Sequence, residues 1–252
     1  MTVCRLDERM ANQTLAILLP PSEGKASGGG KTFWNPADGQ FGAALGTQRQ
    51  LLVHALATAH GGDEKLLGVG GKHLATALQA NSTLAAAPAL PASSRYTGVV
   101  WDHLDLKSMP TADQRRAARS VFVISGLLGV VAAGEPTPEY RLKMGARLAG
   151  FGVLSSWWRN DLSNALNEVL AKRVVIDLLP NEHRAAWTPT PNRYREGVRV
   201  GFIERDGKVA GHDAKAAKGM LARHILTTGG DAIAALRTWR HHRFDLDIAE
   251  LG

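Results

Sequence analysis

The chain has 252 residues, 44% hydrophobic and 21% charged, with 30 Lys and Arg against 23 Asp and Glu and a pI of about 9.8. That is the make-up of a soluble globular protein with one large domain or two small ones, and no apolar run is long enough to span a bilayer. The lone Cys4 excludes an internal disulfide and a cysteine-rich zinc site, and the nine histidines form no HExxH pair.

The net charge of +7 favours polyanionic partners, nucleic acid above all, or phosphorylated small molecules. Residues 1–14 read as a disordered leader with mixed charges and no signal-peptide core, which points to the cytoplasm. Leu15–Leu19 is a short apolar strand stopped by Pro20-Pro21. Ser22-Glu23-Gly24-Lys25 and a Gly-rich loop to Thr32 follow. A Walker A reading fails on spacing: five residues separate Gly24 from Gly30, where the motif needs four. Lys25 with Ser22 can still hold an anion at a strand end.

Gln48 to Leu67 reads as a helix with a break near Gly61-Gly62. Gly68-Val69-Gly70-Gly71-Lys72 then forms a hairpin between two helical pieces. This resembles the helix-hairpin-helix element of non-specific DNA-binding proteins. Glycines let backbone approach a phosphate, amides at the second helix can donate to it, and Lys72 adds charge. The plain alternative is a glycine turn between core helices. Arg95–Trp101 reads as a strand-like or turn segment carrying Tyr96, and Thr111–Arg119 as a surface helix.

Val121–Ile124 is a buried strand closed by Ser125-Gly126, and it opens into a loop toward Arg141, Lys143 and Arg147. Arg159–Lys172 is an amphipathic helix on which Asn164 and Asn167 lie one turn apart and can face a common site. Val174–Leu179 is another buried strand, ended by Pro180-Asn181-Glu182-His183. Val198–Ile203 and Lys208–Gly211 suggest a hairpin about Asp206-Gly207. A helix from near Asp213 carries Lys215, Lys218 and Arg223, and the stretch Leu236–Arg243 is a basic tail able to track a nucleic-acid backbone.

With these stretches in view, the chain resembles the YaaA-type peroxide stress protein family of bacteria, from about Leu15 to Leu226. The resemblance rests on PPSEGKA (20–26), YTG (96–98), SGLLGV (125–130), YRLKMGARL (140–148), the Trp158–Glu168 helix with Asn164, Leu166 and Asn167, VVIDL (174–178) with Glu182, and AKAAKGMLAR (214–223). It implies a cytoplasmic protein that limits hydrogen peroxide damage and is linked to control of free iron. It also implies a DNA-binding protein of mixed α/β fold with a positively charged cleft and a helix-hairpin-helix element. The extension before Leu15, the loops Ala26–Lys31 and Ala132–Glu139, and Asp177 in place of a common Asn depart from the family pattern.

The expected fold is therefore mixed α/β, a central mixed sheet flanked by helices, in one domain over 15–252 with a helical hairpin subdomain at 48–81. The expected DNA contacts are Gly68, Gly70, Gly71, Lys72, Lys215, Lys218 and Arg223. A second candidate site gathers Ser22, Lys25, Tyr96, Ser125, Arg141, Asn164 and Glu182 at strand ends. That pocket suits a phosphorylated small molecule and raises the alternative of an enzyme acting on a nucleotide or related metabolite. No cofactor is implied, and no His and carboxylate spacing marks a metal site.

Overall fold

A computed structural model describes residues 15–205 and 214–251. Six strands form the main sheet: β1 (Leu15–Leu19), β2 (Val121–Ser125), β3 (Gly129–Ala132), β4 (Val174–Asp177), β5 (Glu196–Glu204) and β6 (Phe244–Glu250). Their order is β6-β5-β4-β1-β2-β3. The four inner strands run parallel, and antiparallel strands close both sides. Every residue of β1, β2 and β4 is buried, as expected for parallel strands covered on both faces, and so is every residue of the antiparallel β3.

Seven helices longer than one turn surround this sheet among the described residues. They are α1 (Gly42–Thr58), α2 (Gly71–Ser82), α3 (Val99–Leu104), α4 (Thr111–Ser120), α5 (Leu154–Leu170), α6 (Ala214–Thr228) and α7 (Ala232–Thr238). Helix α1 packs with α2 and α5, while α6 packs with α3, α4 and α7. The α6–α3 crossing is close enough to need Gly219. A Cβ there would stand 2.2 Å from the Val100 carbonyl oxygen. None of these helices is long and apolar enough to cross a membrane.

Several local readings shift. The helix expected over Gln48–Leu67 starts earlier, at Gly42, and ends at Thr58. His60, Gly61 and Gly62 all take positive φ and turn the chain before it can continue. Glu64–Leu67 is then a single turn, capped by the Asp63 side chain and ended by left-handed Gly68. The glycine hairpin joins it to α2, so the first arm is one turn rather than the full helix a helix-hairpin-helix element carries.

The stretch 95–101 follows the turn reading rather than the strand one. It makes one bridge, Lys25 with Tyr96, and enters α3. The second arm of the hairpin expected at Asp206-Gly207, like the leader at 1–14, lies outside the described residues. Val198–Ile203 belongs to β5 and pairs with β6. The supposed basic tail is thereby tied down: it ends α7 and feeds β6, with the Trp239 and His241 rings stacked at 5.3 Å.

Candidate functional site

The topology places a crevice. Strand β1 leads to β2 on one flank, whereas β4 lies on the other flank and leads on to β5. The loops leaving the carboxyl ends of β1 and β4 therefore part in opposite directions, which is where open parallel sheets bind ligands. A cleft of about 490 Å³ opens there, lined by Pro20–Lys25 after β1 and by Pro180, Glu182 and His183 after β4. Residues 97–101, the segment Tyr140–Lys143, and Lys215 and Lys218 of α6 complete it.

Two networks centred on the buried side chains of Arg95 and Asp177 hold these loops. Arg95 is fully buried, and its guanidinium donates to the carbonyls of Ala26, Gly28 (2.8 Å), Pro88 (2.9 Å) and Thr137 (3.1 Å). It thus pins the loop after β1. Asp177, at the end of β4, accepts from Arg184 Nε at 2.6 Å and from the Leu179 amide at 2.7 Å. That pair fixes the turn presenting Glu182 and His183. An aspartate fills this position well because the buried carboxylate has both a cation and an amide to satisfy it.

Lys25 sits at the floor. Its Nζ donates to the Ser22 carbonyl at 2.9 Å and lies 4.1 Å from the centre of the Tyr140 ring and 5.6 Å from that of Tyr96. Burial, reinforced by the nearby Arg141 charge, lowers its pKa to about 7. Beneath it, the Tyr140 hydroxyl bonds those of Tyr96 (2.9 Å) and Ser125 (2.6 Å). Ser125 Oγ also accepts the Leu127 and Leu128 amides, so this serine supports the floor and is wholly buried. Burial pushes Tyr140 up to about 12 and Tyr96 well above its ordinary value, so both phenols stay protonated.

At the rim, Glu23 meets Arg141 Nη2 at 2.7 Å and Lys143 Nζ at 3.3 Å. Burial alone would raise its pKa, but the hydrogen bond and charge of Lys143 and the charge of Arg141 hold it below the ordinary value. Arg141 Nε also donates to the Leu67 carbonyl (3.2 Å), and its backbone is bracketed by Asn81. The helical segment at 61–81 is thus bonded to the cleft wall.

Opposite, Lys218 donates to the Leu178 carbonyl at 2.8 Å, and burial lowers its pKa to about 8 against the pull of Asp177. Glu182 accepts the Gly145 amide at 2.7 Å. His183 is held neutral by burial, with a pKa near 4, and its Nδ1 has no partner among the described residues. Five cations face two carboxylates in the lining, which is the electrostatics of an anion site. Among the described residues no group of three or more His, Cys, Asp or Glu can hold a metal ion.

The structure gathers Ser22, Lys25, Arg141, Glu182 and Lys215 at the cleft, with Tyr96 and Ser125 just behind it, and brings in Lys218. It leaves out Asn164, which is exposed on α5. Asn167, one turn on, is buried instead and bonds Thr188, Thr190, Trp187 and Tyr194, a structural role. Arg223 is spent on the Leu104 and Asp105 carbonyls and on Ser108. Gly68, Gly70, Gly71 and Lys72 lie outside the lining. Lys143 and His183 are cleft residues that sequence reasoning did not select, although both stand beside selected ones, Arg141 and Glu182.

The depressed Lys25 pKa carries a stability signature. Its folded value of about 7 lies below its ordinary 10.5, so between those values the unfolded chain binds the extra proton and stability rises with pH. Below pH 7 the folded protein bears the full cost of the buried charge. Lys25→Met should therefore raise the melting temperature most at pH 6, with the gain over wild type shrinking by pH 9. An equal shift at both values would show that Lys25 titrates normally.

A family model described as peroxide stress protein YaaA matches residues 15–250. A UPF0246 protein of Streptomyces coelicolor is 35% identical over 218 residues, covering 85% of this chain and 84% of that protein. A UPF0246 protein of Corynebacterium glutamicum is 31% identical over 226 residues, covering 86% and 87%. An uncharacterized protein of Campylobacter jejuni is 30% identical over 135 residues, about half of each chain at 54% and 52%.

Proposed function

The chain belongs to the peroxide stress protein YaaA family, and on that premise we propose that it is a cytoplasmic DNA-binding protein of the peroxide stress response. It holds the sugar–phosphate backbone without reading the sequence. One observation carries this reading: the cations run on from the cleft to the glycine hairpin. Lys215 and Lys218 stand on one wall and Arg141 and Lys143 on the other. Gly68 lies directly beyond Lys143, since a Cβ there would come within 2.9 Å of Lys143 Nζ. Exposed Lys72 then opens α2, whose first turn has no side-chain cap.

Cations on both cleft walls, with an uncapped helix start beyond them beside the Glu64 carboxylate, suit a chain of phosphates, which binds by charge and counterion release. Gly70 matters sterically as well: any Cβ would press on the Glu64 carboxylate at 2.7 Å. The test is fluorescence anisotropy with labelled duplex, bubble and single-stranded DNA over a salt series. Wild type should bind with a steep inverse salt dependence. The Lys72→Glu, Gly70→Asp double variant should bind roughly tenfold or more weakly at low salt, through one lost contact and two added negative charges. Salt-insensitive binding, or none at near-physiological salt, would overturn the reading.

A second reading, an enzyme acting on a nucleotide or other phosphorylated metabolite, is favoured by the enclosure of Lys25 at the cleft floor. It predicts thermal stabilisation by nucleotides or sugar phosphates that is lost in Lys25→Met.

A further inference from the structure

We propose that Lys25 is an amine that captures the ring-opened aldehyde of a baseless deoxyribose in DNA as a reversible imine. The inference rests on the DNA reading above and names the class of lesion the cleft takes. Four observations lead to it.

The first is the position of Lys25. It has no carboxylate partner: its Nζ bonds only a carbonyl, that of Ser22, among the described residues, and stacks over the Tyr140 ring. A lysine placed merely for charge would be expected to pair with an acid. Glu23, two residues away, is instead drawn to Arg141 and Lys143.

The second is protonation. Burial and the Arg141 charge bring the amine to a pKa of about 7, so a large share carries a free lone pair at neutral pH. The third is the size of the cleft. Its ≈ 490 Å³ is in the range that takes one nucleotide-sized group, so it can take a residue turned out of the duplex. Turning out costs least where the base is already missing. The fourth is the set of cations that share the cleft with the amine. Arg141, Lys143 and Lys215 line the same cleft and can hold the phosphates on either side of the lesion. Peroxide-derived radicals attack deoxyribose and release bases, so baseless sugars are a product of the stress to which the family name refers.

The step balances without any redox partner. The neutral Lys25 nitrogen attacks C1′ of the open-chain aldehyde and forms a C–N bond. The carbinolamine then loses the carbonyl oxygen as water, which carries off the two amine protons. Addition of water reverses the reaction and returns the free lysine. The protonated tyrosines Tyr96 and Tyr140 lie behind the amine and do not compete for the aldehyde.

The test is borohydride trapping on a labelled duplex carrying one abasic site, with the reduced tetrahydrofuran analogue as an unreactive control. Each protein is used at a concentration that saturates its own binding. Wild type should give a covalent adduct with the abasic duplex only, and peptide mapping should place it on Lys25. The yield should rise with pH through about 7. Lys25→Arg keeps the charge but cannot form the imine, and it should reduce the adduct at least ~100-fold. Lys25→Met, checked for folding by its thermal melt, should do the same.

Binding of both duplexes without an adduct, or an adduct that survives in Lys25→Arg, overturns this inference and leaves the DNA reading standing. No binding to either duplex overturns both. An adduct formed only with free 2-deoxyribose 5-phosphate overturns the DNA source and moves the same chemistry to a small sugar phosphate.

Discussion

Charge reversal at Lys143 and Lys215 together is expected to lower the affinity for duplex DNA by about two orders of magnitude at low salt and to flatten the salt slope by about two. The two lysines stand on opposite walls of the cleft, one after Tyr140 and one in the first turn of α6. Neither is committed to holding the fold. Among the described residues Lys143 makes the rim contact to Glu23 at 3.3 Å as its one ion pair, with 40% of its side chain exposed, and Lys215 is exposed. The Lys143→Glu, Lys215→Glu variant should therefore melt close to wild type while losing two phosphate contacts and gaining repulsion at both. The variant also separates the two functional readings. If it binds DNA as wild type does, with an unchanged salt slope, the DNA track does not pass through the cleft. Loss of stabilisation by a nucleotide in that same variant would then favour the metabolite enzyme.

Arg49→Leu is expected to cost roughly 3–5 kcal/mol of stability, the range for removing the charged member of a buried network. Arg49 is 2% exposed on α1 and makes four bonds to backbone carbonyls. Its Nη1 donates to Pro36 and Asp38 at 3.0 Å each, its Nε to Leu128 at 3.0 Å, and its Nη2 to Val130 at 2.8 Å. It joins the loop before α1 to the β2–β3 turn. Leucine would leave all four carbonyls without this donor, those of Leu128 and Val130 in buried positions. Burial already draws the guanidinium pKa down to about 10, offset in part by Glu135 and Asp38, yet it stays charged at neutral pH. Arg49→Lys should fall between, since one amine cannot match a four-bond fork. Urea unfolding followed by circular dichroism measures both variants. A leucine variant within about 1 kcal/mol of wild type would show that the network is re-satisfied locally.

The elements readable from the chain were those set by short-range pattern. LAILL, VFVIS and VVID are apolar runs bounded by proline, glycine or charge, and they became the strands β1, β2 and β4. The helix read over Arg159–Lys172 from its apolar spacing runs from Leu154 to Leu170, and the helix read from near Asp213 is described from Ala214 to Thr228. That polar residues cluster after strand ends was legible too: Ser22, Lys25, Arg141 and Glu182 line the cleft, and Tyr96 and Ser125 stand behind it, each bonded to the Tyr140 hydroxyl.

Tertiary structure decided the rest. Which strand flanks β1 on each side sets where the loops diverge, and no local pattern encodes that order. Asn164 and Asn167 looked equivalent at helical spacing, but the packing of α5 exposes one and buries the other. Arg223 looked like a phosphate ligand and instead spans to α3, 119 residues away, to bond the Leu104 carbonyl. Glu23 meets Arg141 across 118 residues, and that contact withholds a counter-ion from Lys25. The sequence by itself therefore determined the strands, the basic charge and the polar strand ends, because each depends on neighbours in the chain. Only the folded structure decided which cations remain available and which amine is drawn down to a pKa of about 7, because burial and long-range pairing depend on residues brought together from distant parts of the chain.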